Sequence, residues 1–262
     1  MSRLPTIFFG HGSPIIALKQ NETTRSWKAL ADSMERPRAI LCISAHWLTH
    51  GVSVTAQDHP PTIHDFGGFP REMHEFEYPA PGDPELVARV QQLLGPTTVV
   101  PSGDWGFDHG CWTVLMKAWP EADIPVVQLS LDVTKSPTEH YALGQLLRPL
   151  RDENVLIMGT GNIVHNLRVL QRVDGAPPNP LAMQFSTAIK RAIAENDAQT
   201  VIEFAKLGDM ARLAVPTADH FWPLLYVLGA RHPDDHVTFE PDFIEYGSID
   251  MTTVTLRGDL AA

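Results

Sequence analysis

Cysteine is nearly absent from this chain: Cys42 and Cys111 are the two in 262 residues. That scarcity excludes a disulfide framework as the basis of stability. Cys42, inside the apolar run AILCIS, reads as a small buried hydrophobe. Positive charge is also short, with 20 Lys and Arg against 31 Asp and Glu, a formal net charge of -11 and a pI near 5.5. Such a balance argues against a basic surface built for nucleic-acid phosphates or anionic lipid heads. No apolar run approaches the roughly 20 residues that a bilayer span needs. The N-terminal MSRLPTIFFG has one arginine and a very short apolar stretch, too little for a secretory leader. The expected compartment is therefore the cytoplasm, and the expected partner a small molecule, with neither nucleic acid nor membrane. The compact metal signatures HExxH, HxH and CxxC are missing too. What the chain does have is histidine: twelve residues, about twice what ordinary composition supplies.

Apolar, β-branched runs bounded by turn residues mark buried strands at 6–10, 39–47, 97–103, 125–131 and 154–161. Helix-like segments fall at 24–34, 84–94, 111–119, 138–150 and 181–195, with Asp83 and Pro84 as a good N-cap and first-turn pair. Alternation of this kind predicts an α/β fold of three layers, α/β/α, with a mostly parallel central sheet. Residues 237–257 hold two or three strand-like pieces without a helix between them, which predicts antiparallel C-terminal strands at a sheet edge. Segments 50–82 and 171–180, rich in Pro, Gly and His, read as long loops. The length of the chain suits a single domain over 1–262.

The histidines fall at telling places. His11 follows TIFFG, His46 follows AILCIS, and His165 comes four residues after Gly161 beyond NVLIMGTG. In open α/β sheets ligands bind beyond the carboxyl ends of the strands, so three separate strands are expected to deliver imidazoles to one rim. His220, in TADHFWPLL, opens an apolar helix with Asp219 or Thr217 as its cap, and His109 lies in a loop between glycines before the next helix. Taken singly, each is more simply a loop histidine that caps a strand end. Taken as a set they point to a mononuclear metal site, since neutral imidazole is the commonest metal ligand. His50, His59, His74, His140, His232 and His236 have polar neighbours and read as surface, and Glu75 and Glu77 as a solvated face. GTGN lacks the remainder of a phosphate-loop signature, and Ser13 in GHGSP is out of register for a nucleophile elbow.

Several motifs together carry a resemblance: GHGSP (10–14), SAHW (44–47), PPTIHDFGGFP (60–70), YPAPG (78–82), WGFDHGCW (105–112), GTGNIVHNL (159–167) and FWPLLYVLGA (221–230). They resemble the 4,5-DOPA extradiol dioxygenase family, within the class III extradiol ring-cleaving dioxygenases. The resemblance implies an enzyme that opens the ring of a catechol such as DOPA with O2, at one metal ion, Zn(2+) or Fe(2+), held by His11, His46, His165 and His220. It also aligns His165 with a catalytic base, so His165 is expected as a ligand in the resting site and as the base when substrate binds. His109 is the second acid/base candidate, and His64 is expected to line the substrate pocket. Ferrous extradiol sites generally use two histidines and one carboxylate. Glu240, Glu245 and Asp250 are available, but no motif selects one, and the match at His220 suggests an imidazole in its place. The competing reading is a zinc-dependent hydrolase or lyase built on the same histidines.

Overall fold

The computed structural model describes residues 3–95 and 99–258. Along the chain the elements are β1 (Thr6–Gly10), α1 (Glu22–Asp32), β2 (Ala39–Thr49), β3 (Val52–Thr55), α2 (Pro84–Leu94), β4 (Val99–Ser102), α3 (His109–Ala118), β5 (Val126–Asp132) and α4 (Pro137–Leu147). They continue with β6 (Val155–Gly161), α5 (Pro180–Ala194), α6 (Ala198–Ile202), α7 (Asp209–Ala214), α8 (Trp222–Gly229), β7 (His236–Phe239), β8 (Ile244–Glu245), β9 (Ile249–Asp250) and β10 (Val254–Arg257). Of the strand expected at 97–103, Thr97 and Thr98 lie outside the described residues, and the remainder contains β4.

Eight strands form one sheet in the order β4-β3-β5-β2-β6-β1-β10-β7. The central pairs β5–β2, β2–β6 and β6–β1 are parallel, whereas β10 adds to β1, and β7 to β10, antiparallel. The mostly parallel sheet with antiparallel C-terminal strands is therefore as the sequence predicts. Alternate side chains of a strand point to opposite faces, which builds the layers. Ile7, Phe9, Ile40 and Cys42 pack with Trp27 of α1 and Trp112 and Leu115 of α3 on one face. Phe8 meets Phe185 of α5 and Leu224 of α8 on the other, where Leu41 and Ile43 pack with Leu143 of α4.

Local capping sets the helix boundaries. The Asp83 side chain accepts from the Leu86 amide at 3.0 Å, as its sequence predicts, and Asn21 forms a capping box that starts α1 at Glu22. α3 begins at His109 because the Asp108 side chain accepts from the Cys111 amide at 3.1 Å. His109 is thus the first residue of a helix and not part of a loop. β3 lies inside the segment expected to be loop; its four residues are too short for a periodic signal, and Gly51 at φ +84° supplies the turn that leads into it. His140 also departs from expectation. It is fully buried between α4 and α8, its Nδ1 3.1 Å from the Tyr226 hydroxyl and its ring 4.7 Å from that of Trp222.

Candidate metal centre

β1, β6 and β2 lie side by side and parallel, so their carboxyl ends share one rim of the sheet. His11 is the residue after β1. Its amide donates to the Gly161 carbonyl at 3.1 Å, and the Asn162 side-chain amide donates to the His11 carbonyl at 2.6 Å and to the Asp250 carbonyl at 2.8 Å. That bracket fixes the ends of β1 and β6 against each other. His46 does not follow β2 but sits within it, where the register against β5 shifts between Ile43 and Leu48. Bulges of this type re-aim a side chain next to functional sites. Two glycines permit the close approaches that follow. A β-carbon at Gly110 would stand 2.9 Å from Cδ2 of His46, and one at Gly161 only 2.1 Å from the His220 carbonyl oxygen.

These elements bring His11, His46, His109 and His220 together. The Nε2 atoms of His11 and His46 are 3.0 Å apart. Ring centroids are 5.2 Å apart for His11–His46, 3.9 Å for His46–His109, 5.6 Å for His11–His109, 4.9 Å for His46–His220 and 5.6 Å for His11–His220. Ligand atoms of His11, His46 and His109 all lie within 4.8 Å of one another, a set able to hold a metal ion. His165 stacks flat on His220, with centroids 3.6 Å apart and planes at 3°, on the outer side of the group. Among the described residues, no side-chain bond joins Glu240, Glu245 or Asp250 to one of these histidines; the Asp250 carboxylate accepts from the Thr252 amide at 2.9 Å, and Glu245 lies 3.9 Å from Lys19.

Two other aspartates reach the imidazoles. Asp65 accepts from His109 twice, from its amide at 2.9 Å and at Nδ1 at 3.0 Å, and lies 3.6 Å from Nδ1 of His46. Asp219 is 2.6 Å from Nδ1 of His220. A carboxylate on Nδ1 fixes the tautomer and leaves the Nε2 lone pair free for a ligand. Burial raises the Asp65 and Asp219 carboxyls, but their bonds to His109 and His220 outweigh it and hold both below the ordinary carboxylate range, so both are ionised. Asp65 is a sequence neighbour of His64, and the sequence makes Asp219 or Thr217 the expected helix cap. α8 instead begins at Trp222, leaving the Asp219 side chain to His220.

Asp108 supports the same group from below. It is fully buried and accepts from Ser44 Oγ at 2.6 Å, from Trp105 Nε1 at 3.4 Å and from the Gln128 side-chain amide, which ties β2 and β5 to the start of α3. Burial lowers the pKa of His11 and of His46 well below the ordinary histidine value, and neighbouring histidines lower them further. Both are neutral near pH 7, the form that binds metals. Among the described residues, Nδ1 of His11 has no hydrogen-bond partner and is buried. A cluster of imidazoles, two of them neutral and nitrogen to nitrogen and others braced by carboxylates, fits a divalent transition metal. His64 stands in an aromatic wall beside this group: its Nε2 is 2.9 Å from the Phe76 carbonyl, Phe66 lies 5.8 Å from His109, and Trp112 lies 5.9 Å from His64.

A family model described as the catalytic LigB subunit of aromatic ring-opening dioxygenase matches residues 5–249. The chain belongs to this family. A 4,5-DOPA dioxygenase extradiol of Escherichia coli (strain K12) is 42% identical over 259 residues, covering 97% of this chain and 95% of the relative. One of Beta vulgaris is 37% identical, covering 95% and 96%. The crystal structure of an uncharacterised protein from Escherichia coli K12 superposes with a TM-score of 0.85 at 39% identity, covering 97% of this chain and 99% of that one. This LigB-family chain is therefore an extradiol, aromatic ring-opening dioxygenase that acts on a small aromatic molecule. Among the described residues, no helix is long and apolar enough to cross a membrane.

Proposed function

We propose that residues 1–262 act as a single catalytic domain that cleaves a catechol, DOPA in the first instance, beside its hydroxyls. The observation that carries this reading is the ring of imidazoles at the carboxyl ends of β1, β2 and β6, set against the aromatic wall of Phe66, Phe76 and Trp112. His11, His46 and His220 hold the metal. His220, like His109, touches the rings of both others, and the shorter carboxylate brace, 2.6 Å from Asp219 against 3.0 Å for His109–Asp65, makes it the third donor. The working ion is iron(II), which supplies redox access to dioxygen and lowers the pKa of bound phenols, whereas zinc has no redox chemistry.

The chain's own groups then divide the remaining work. His165, outside the inner group, handles the proton of the catechol. Burial and the neighbouring His220 push its pKa down to about 3, so it stands neutral and ready to accept. A catecholate within about 4–6 Å favours the protonated imidazole and raises that value. His109, oriented by Asp65, is the second acid/base group. The aromatic wall, with His64 in it, fixes the plane of the ring and excludes water.

The test is direct. Metal-stripped protein reloaded anaerobically with iron(II) and given DOPA is expected to consume one O2 per catechol when air is admitted, with a yellow product. Turnover of esters with zinc alone, and no oxygen uptake with any catechol, would instead select the hydrolase reading. A narrower prediction concerns the brace on His220. Asp219→Asn is expected to weaken metal affinity by about 10–100-fold, the usual effect of removing the carboxylate behind a histidine ligand. Metal titration of the stripped variant checks it, and unchanged affinity would remove His220 from the ligand set.

A further inference from the structure

We propose that Asn162 is a positioning residue for the metal centre: through three hydrogen bonds it sets the spacing of His11 against His220 and joins both to the strand that braces His165. The proposal rests on the reading that His11 and His220 are metal ligands.

Asn162 is the residue after β6 and is fully buried. Its side-chain amide donates to the His11 carbonyl at 2.6 Å and to the Asp250 carbonyl at 2.8 Å, and its main-chain amide donates to the His220 carbonyl at 2.9 Å. Two histidines from opposite ends of the chain are thus gauged against one residue. The bond to Asp250 reaches β9, where the Asp250 amide donates to the Val164 carbonyl at 2.9 Å and Ile249 bridges to His165. The packing leaves no slack on this side: a β-carbon at Gly10 would stand 2.9 Å from the Asp250 carbonyl oxygen.

His11 needs this hold more than its neighbours do. His109 and His220 are each oriented at Nδ1 by a carboxylate, whereas among the described residues Nδ1 of His11 has no partner. The placement of its imidazole therefore depends on its main chain, whose amide is tied to Gly161 and whose carbonyl is tied to Asn162. Functional groups must be held within about 0.5 Å of their working positions. Among the described residues, Oδ1 of Asn162 is buried and has no hydrogen-bond partner either. An unpaired buried acceptor is costly, so the residue is explained by its two side-chain donors, aimed at two carbonyls. A carboxylate of the same size has none to offer.

The experiment titrates the metal-stripped chain with cobalt(II) and records both the affinity and the visible absorption of the bound ion, which reports the arrangement of its ligands. Asn162→Asp keeps the size of the side chain but turns an acceptor toward the two carbonyls. It is expected to weaken cobalt binding by about 10–100-fold, the range for a residue behind a histidine ligand, and to change the spectrum. Asn162→Ser keeps one hydroxyl donor and adds no charge; its affinity is expected between the two, and it carries the test if Asn162→Asp does not fold. Val155→Ala, at the buried opposite end of β6, is the stability control, expected to lower Tm while leaving cobalt affinity and spectrum as in wild type. Asn162 variants that lose stability like this control, yet bind cobalt with wild-type affinity and spectrum, would make Asn162 a structural residue alone and overturn the proposal. Failure of the wild-type chain to bind cobalt, or wild-type binding by His11→Ala, would instead overturn the ligand reading on which it rests.

Discussion

Replacing His46 by alanine is expected to abolish metal binding and ring opening together. His46 is in ring contact with His11, His109 and His220, and its Nε2 faces that of His11 at 3.0 Å. Removal of a residue that merely orients a ligand already costs about 10–100-fold in metal affinity, so loss of the ligand itself should leave activity below about a hundredth of wild type. The position cannot be filled by a neighbour, because β2 bulges there to aim one side chain at the rim, and Gly110 leaves no side chain to lean into the gap. Stripped and reloaded His46→Ala protein, measured for bound metal and for oxygen uptake side by side, gives the answer. Full metal content with full activity would remove His46 from the centre, and full metal content with no activity would make it a substrate-handling group.

The variant should still fold, which separates this effect from general instability. His46 is half-buried at the rim of the sheet, whereas the packing around β2 rests on Ile40, Leu41, Cys42 and Ile43 below it. That division between strand body and strand end also explains what the sequence made legible. Buried apolar runs announce parallel strands, and the residue after such a run stands at the carboxyl rim, so His11 and the approach to His46 could be placed from the sequence. The braces could not. Asp65 meets His109 across 44 residues of chain with no periodic signal between them, and the contact depends on how the segment after β3 folds over α3. Asp219 is visible in the sequence but looks like a cap, since a carboxylate just before an apolar helix is ordinarily one, and here the helix starts three residues later. His140 failed for the same reason as Asp65: its partner Tyr226 lies on another helix, and the polar residues around it in sequence face outward.

His109→Ala is expected to retain metal and lose turnover by about 100-fold or more, the range that a positioned acid/base group supplies. Two observations make the position decisive. Its ligand atom lies within 4.8 Å of those of His11 and His46, close enough to join the metal set. Yet Asp65 accepts from both its amide and Nδ1, which fixes the ring at the first turn of α3. A group so held can serve as a donor to the ion or as a proton carrier to the bound ring, and one substitution separates the two. If His11, His46 and His220 suffice to hold the ion, the alanine variant keeps stoichiometric iron, and its loss appears in kcat. Loss of iron in step with activity would transfer His109 to the ligand set and leave His165 as the proton-handling histidine. Asp65→Asn should then follow whichever behaviour His109 shows, at smaller amplitude, because its carboxylate acts on the reaction only through the imidazole it orients.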